Sequence, residues 1–191
     1  WPMLIDTHTH LYAQEFNADR EQLISKAIKN NIKKFYLPNI DSESIGIMHD
    51  LEQKYPEHCF AMMGLHPGSV HPDTYEQELA LVEKWLGQRP WAGIGETGID
   101  LYWDKSTLEI QKIAFKRQIE WAKDLNRPII IHSRESNREC IDCVREGQDG
   151  RLRGIFHCFS GTLEEAGEMI DLGFMIGIGG TLTYSKSELP H

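Results

Sequence analysis

Seven short apolar runs with helical stretches between them constrain the fold more than any other feature: "MLID", "KKFYLP", "CFAMMG", "WAGIGE", "PIIIH", "RGIFH" and "FMIGIG". Several are apolar at nearly every position, which is what a strand buried on both faces of a parallel sheet requires. The segments between them carry helix-start patterns. Ser106 to Glu109 reads S-T-L-E and Thr162 to Glu165 reads T-L-E-E, two capping boxes in which hydroxyl and carboxylate satisfy free backbone donors. After Ser106, residues Ile113, Arg117, Trp121 and Leu125 fall on one helical line with Phe115, Ile119 and Ala122 beside it, predicting one broad apolar face able to cover a sheet. Gly173, after Leu172, ends the next helix. Strand and helix alternate without a Pro/Ser-rich linker or a repeat, so one α/β domain over residues 3–191 is expected. Trp1 and Pro2, ahead of Met3, are expected to be vector-derived residues outside it.

Two architectures share this pattern. A doubly wound nucleotide-binding sheet calls for a glycine-rich turn after its first strand, and here that turn reads "THTHLY". The other is a (β/α)8 TIM barrel, whose functional residues follow the C-terminal ends of several strands. The polar residues favour the barrel: His8 and His10 follow strand one, His66 follows strand three, Glu96 ends strand four, His132 ends strand five and His157 ends strand six. A barrel collects all of these at one mouth, whereas core histidines have no reason to choose the same end of five strands.

Imidazole and carboxylate bind divalent cations, and four or more histidines with one glutamate exceed the three or four ligands of a single open site. Two ions bridged by a carboxylate, with an acidified water between them, are the expected arrangement. They would also answer a charge problem. A formal net charge of −9 excludes a protein that binds nucleic acid by coating phosphates with Lys and Arg, so phosphate chemistry needs positive charge from elsewhere.

With "DTHTHL" at 6–11, "GLHPG" at 64–68, "GETGIDLYWDK" at 95–105, "IHSRE" at 131–135 and "FHCFSG" at 156–161, the chain resembles the TatD family of metal-dependent hydrolases, within the amidohydrolase-like barrels. The resemblance implies a deoxyribonuclease acting on DNA, on single strands or 3′ ends, with two divalent ions (Zn, Mg or Mn). It implies that His8 and His10 hold one ion, that Glu96 bridges, and that His132 and His157 hold the other, with Glu96, His132 and His157 catalytic. It equally allows a hydrolase of esters or amides, such as D-aminoacyl groups on tRNA. A complete barrel of this type takes ~250 residues, and the family continues into an eighth strand ending in an aspartate of the form E-T-D-x-P. The chain is therefore expected to be a fragment with seven strands and the eighth missing, with a catalytically impaired or non-catalytic remnant as the alternative to an active hydrolase. No carboxylate substitutes for that aspartate, since Asp171 falls on a predicted helix and Glu188 in the tail.

Around the ions, a bound phosphate needs donors. Arg134 offers a planar fork, with a surface ion pair to Glu135 as the alternative. Ser160 and Gly161 would present backbone N–H groups at a helix start, or simply turn the chain. The family pattern implies that His66 contacts substrate, with a loop histidine held by Pro67 as the alternative. Tyr102 and Trp103 offer faces for stacking a base, or are buried under the rim. Asp100 either orients a metal ligand or caps its loop. His49, His58, His71 and His191 have no matching partners. Cys140 and Cys143 form a C-x-x-C inside a helix, the wrong place for a redox motif, and Cys59 and Cys158 fall in predicted strands. Reduced thiols, a cytoplasmic location, no membrane span and a monomer are expected.

Overall fold

The computed structural model describes residues 2–185 of the chain, so the expectations for Trp1, Glu188 and His191 lie outside the described residues. Seven strands alternate with six α-helices: β1 (Leu4–Asp6), α1 (Arg20–Lys29), β2 (Ile32–Pro38), α2 (Ile45–Lys54), β3 (Cys59–Met62), α3 (Tyr75–Leu86), β4 (Ile94–Asp100), α4 (Leu108–Asp124), β5 (Ile129–Arg134), α5 (Asn137–Gly147), β6 (Gly154–Phe156), α6 (Leu163–Asp171) and β7 (Phe174–Ile176). All pairings are parallel, in the orders β1-β2-β3 and β4-β5-β6-β7. The two sheets are joined where Met63 N donates to Gly93 O (3.2 Å) and Gly95 N donates to Met63 O (3.0 Å). The strands therefore form one wall in chain order, the seven-stranded TIM-barrel arrangement that the sequence pattern predicts. Among the described residues no ladder joins β7 to β1, and Leu4, Ile5 and Met175 on these two edges are exposed. No helix is long and apolar enough to cross a membrane among the described residues.

Apolar strand residues fill the core on both faces of the wall. Ile129 and Ile131 of β5, Phe156 of β6 and Leu37 of β2 are buried, with Phe115 and Ile119 of α4 against them. The close approach of β4 to β5 depends on Gly98, which has φ +137° and whose absent Cβ would lie 2.0 Å from His132 O. No other residue fits there, so the glycine fixes the spacing of the two strands that carry Glu96 and His132.

Three local expectations are corrected. The Thr162 capping box forms, with Glu165 N donating to Thr162 Oγ1 and Thr162 N donating to Glu165 Oε2. The Ser106 box does not form: Asp104 captures both the backbone N–H and the hydroxyl of Ser106, and the helix cap passes to Thr107. The buried face of α4 is also rotated from the expected line. Ile113 and Leu125 are exposed, while Gln111, Ala114, Phe115, Gln118, Ile119 and Ala122 are buried, because two glutamines that look polar in sequence find backbone partners in the wall. Cys158 lies in the loop after β6 with φ +48°, outside any strand, whereas Cys59 is in β3 as expected. Gly173, at φ +87°, does end α6, its N–H donating to Ile170 O.

Candidate metal centre

Glu96, in the middle of β4 and 2% exposed, is the centre of the site. Its backbone is held by Asn39, at the end of β2, whose carbonyl accepts from Glu96 N (3.0 Å) and whose side-chain amide reaches Gly64 O (2.9 Å). The carboxylate divides its oxygens between two groups. Oε2 faces His10 Nε2 (3.0 Å) and His8 Nε2 (3.2 Å), while Oε1 faces His132 Nδ1 (3.0 Å) and His66 Nε2 (3.7 Å). The His8 ring stacks on that of His157, centroids 3.4 Å apart and planes within 5°.

Neighbouring groups assign the tautomers. Tyr12 gives its one hydroxyl proton to Pro38 O (2.5 Å), so His10 Nδ1, 2.8 Å from the same oxygen, must donate, and His10 Nε2 carries its lone pair toward Glu96. Asp100 Oδ2, 2.9 Å from His132 Nε2, takes that nitrogen's proton in hydrogen bonding and leaves the Nδ1 lone pair directed at Glu96. His66 is the opposite case. Its Nδ1 accepts from Gly68 N (2.9 Å), so its proton sits on Nε2. His8 Nδ1 is buried without a hydrogen-bond partner.

Nitrogen lone pairs packed about 3 Å from a carboxylate oxygen repel unless a proton or a cation lies among them. The donor set therefore fits divalent cations. Two groups of ligand atoms, each within 4.8 Å, share Glu96: His8, Glu96 and His157, and His66, Glu96 and His132. His157 thus stands with His8, on whose ring it stacks, and not with His132 as the resemblance pairs it. His66 sits beside Glu96 and His132, with the Nε2–H of this tautomer turned toward Glu96.

The same packing sets the ionisation of these side chains. Burial opposes the charge of Glu96, but its contacts with His10, His132 and His8 outweigh it and hold its carboxyl well below the usual range. Burial lowers His66 to about 4 and His157 to about 3, so both are neutral near pH 7. Burial also opposes a charge on His132, but Glu96 and Asp100 prevail and raise it.

At the rim, the Arg134 guanidinium lies 3.7 Å from the Tyr102 ring centroid and 5.5 Å from that of Trp103, and Trp103 is 78% exposed. Arg134 stacks on these aromatics. At the start of α6, Ser160 O accepts from Asn137 Nδ2, and the Thr162 N–H is taken by the Glu165 carboxylate. An anion would have to compete with Glu165. His49 packs between Trp85 and Trp91, and burial pushes the Cys140 thiol up to about 12 and Cys143 up to about 11, which leaves both inert. Sequence reading missed Tyr12 and Asn39. Tyr12, two residues past His10 in the alternation of "THTHLY", was visible; Asn39 carried no signal of its own.

A family model described as TatD related DNase matches residues 5–191. The chain belongs to this family. It is 33% identical over 188 residues to YabD of Bacillus subtilis, described as an uncharacterized metal-dependent hydrolase, covering 98% of this chain and 73% of that protein. It is 28% identical to a protein of Edwardsiella piscicida named 3'-5' ssDNA/RNA exonuclease TatD, covering 98% of this chain and 72% of that one. The crystal structure of the TatD homologue YjjV from Escherichia coli superposes with a TM-score of 0.86 at 31% identity, covering 97% of this chain and 72% of that chain. The chain is thus a metal-dependent hydrolase by family, on a TIM-barrel framework.

Proposed function

We propose that the chain hydrolyses phosphodiester bonds of DNA, acting on single strands or 3′ ends, with two divalent cations held by His8, His10, Glu96, His132 and His157. The observation that carries this reading is the divided carboxylate of Glu96, one oxygen toward His8 and His10 and the other toward His132. Bound there, divalent cations supply an acidified water and stabilise the negative charge that develops on the phosphate. The chain's own residues do the rest. Tyr12 and Asp100 keep His10 and His132 in the tautomers that offer a lone pair. Neutral His66 presents its Nε2–H to a non-bridging oxygen of the substrate. Arg134, stacked on Tyr102, directs a planar fork at phosphate, and the exposed Trp103 offers a face to a base. The printed name of the Edwardsiella relative agrees with this substrate class. The four cysteines are free, which accords with work in the reducing cytoplasm.

Hydrolysis of a 3′-labelled single-stranded oligonucleotide, run with and without chelator in the parent and in Glu96→Gln, tests the reading. Metal-dependent release of nucleotides that Glu96→Gln abolishes is expected. Turnover of a D-aminoacyl-tRNA ester with the DNA left intact would reassign the substrate.

A further inference from the structure

Helix α4 carries two glutamines whose side chains are almost wholly removed from solvent, Gln111 at 2% exposure and Gln118 at 0%. They lie seven residues apart, two turns and about 10.5 Å along the helix axis, and so on one face. Each engages both backbone groups of a single residue in the barrel wall. Gln111 Oε1 accepts from Asp100 N (2.8 Å) and its Nε2 donates to Asp100 O (3.0 Å). Gln118 Oε1 accepts from Leu65 N (2.9 Å) and its Nε2 donates to Leu65 O (3.2 Å). The second amide proton of each is also placed, on Thr107 Oγ1 for Gln111 and on Ala114 O for Gln118. Both amides act as a strand neighbour would, at the points where β4 and the segment after β3 leave the ladder.

The two anchored residues are not arbitrary. Asp100 is the carboxylate that orients His132, and Leu65 immediately precedes His66. We propose that Gln111 and Gln118 are positioning residues that act on different halves of the site, Gln111 on the cation ligand His132 through Asp100, and Gln118 on the substrate donor His66 through Leu65. The inference rests on the cation-site reading above. Pairing backbone groups that leave the ladder accounts for the hydrogen bonds themselves; what points to positioning is that the two residues so held are the orienter of His132 and the neighbour of His66.

A division of labour distinguishes the proposal from general support of the fold. In the full chain, Gln111→Met is expected to weaken Mn2+ binding, measured by calorimetry, about tenfold, the lower end of the loss seen when the support of a metal ligand is removed. Gln118→Met is expected to leave Mn2+ affinity within about twofold, while weakening binding of a phosphorothioate single-stranded oligonucleotide in fluorescence anisotropy several-fold. Amide exchange should accelerate at Asp100 in the first variant and at Leu65 in the second. Phe115→Leu, on the same buried face but without polar contacts, is the control for lost stability, with comparisons made at matched distance below each melting temperature. Should Gln111→Met fail to fold, Thr107→Val removes only the hydroxyl that steers the Gln111 amide and is expected to weaken Mn2+ binding in the same direction. Equal effects of both glutamine variants and of Phe115→Leu, or unchanged exchange at Asp100 and Leu65, would overturn the proposal. Failure of the parent chain to bind Mn2+ at all would instead overturn the cation-site reading.

Discussion

Replacing Asp100 by Asn should harm cation binding more than replacing it by Ala, the reverse of what conservative substitution suggests. Asp100 Oδ2 accepts from His132 Nε2 and Oδ1 accepts from Tyr102 N, both at 2.9 Å. Only a carboxylate can accept on both sides. An asparagine must turn its NH2 either to His132, which forces the ring proton onto Nδ1 and withdraws the lone pair aimed at Glu96, or to Tyr102 N–H, where two donors meet. Either conflict leaves a buried polar group unpaired, at about 1 to 3 kcal/mol. Alanine removes the orienting bond but imposes no wrong tautomer, because water can take the proton of Nε2. Loss of such support alone costs about 10- to 100-fold in affinity. Calorimetric titration of the chelator-treated chain with Mn2+ should therefore place Asp100→Ala about tenfold below the parent and Asp100→Asn about tenfold or more below that. Asn binding as tightly as Ala or more so would refute the tautomer assignment of His132.

In chelator, stability should fall as the pH is lowered from about 6.5 toward 4. His66, held at about 4 against an unfolded value near 6.5, is neutral in the folded chain, so the unfolded chain takes up the extra proton in that window and gains ground, by about 3 kcal/mol. His157, lowered further, adds in the same direction, whereas raised His132 works the other way and is lost only as pH rises through its folded value. Urea midpoints at pH 7 and pH 4.5 should thus differ less in His66→Gln than in the parent; an identical difference would sink the assignment. Thr162→Ala should destabilise by about 1 kcal/mol, while Ser106→Ala, which contributes no cap to α4, should cost less than about half of that in thermal or denaturant unfolding. Gly98→Ala should cost more than about 3 kcal/mol and separate β4 from β5, detectable as lost Mn2+ affinity in whatever protein remains soluble.

The alternation of apolar runs and helices determined the layout by itself, since a strand buried on both faces can be written only as a continuous apolar run, and helices must cover both of its sides. His8, His10, Glu96, His132 and His157 were legible for a related reason: each lies in or shortly after an apolar run that sequence order already marks, although Glu96 and His132 fall inside β4 and β5 and not at their ends as expected. The tertiary structure alone decided what each imidazole can do. His66 and His132 look alike in sequence, yet a backbone N–H from Gly68 makes one a donor and the Asp100 carboxylate makes the other an acceptor. The buried glutamines of α4 and the rotated face they define were likewise hidden, because a glutamine reads as surface until a backbone N–H and C=O elsewhere in the chain are brought within 3 Å of it. Tautomer, ligand pairing and amide anchoring all depend on which polar atoms meet across the barrel, and hydrogen bonds of that range leave no periodicity in the chain that forms them.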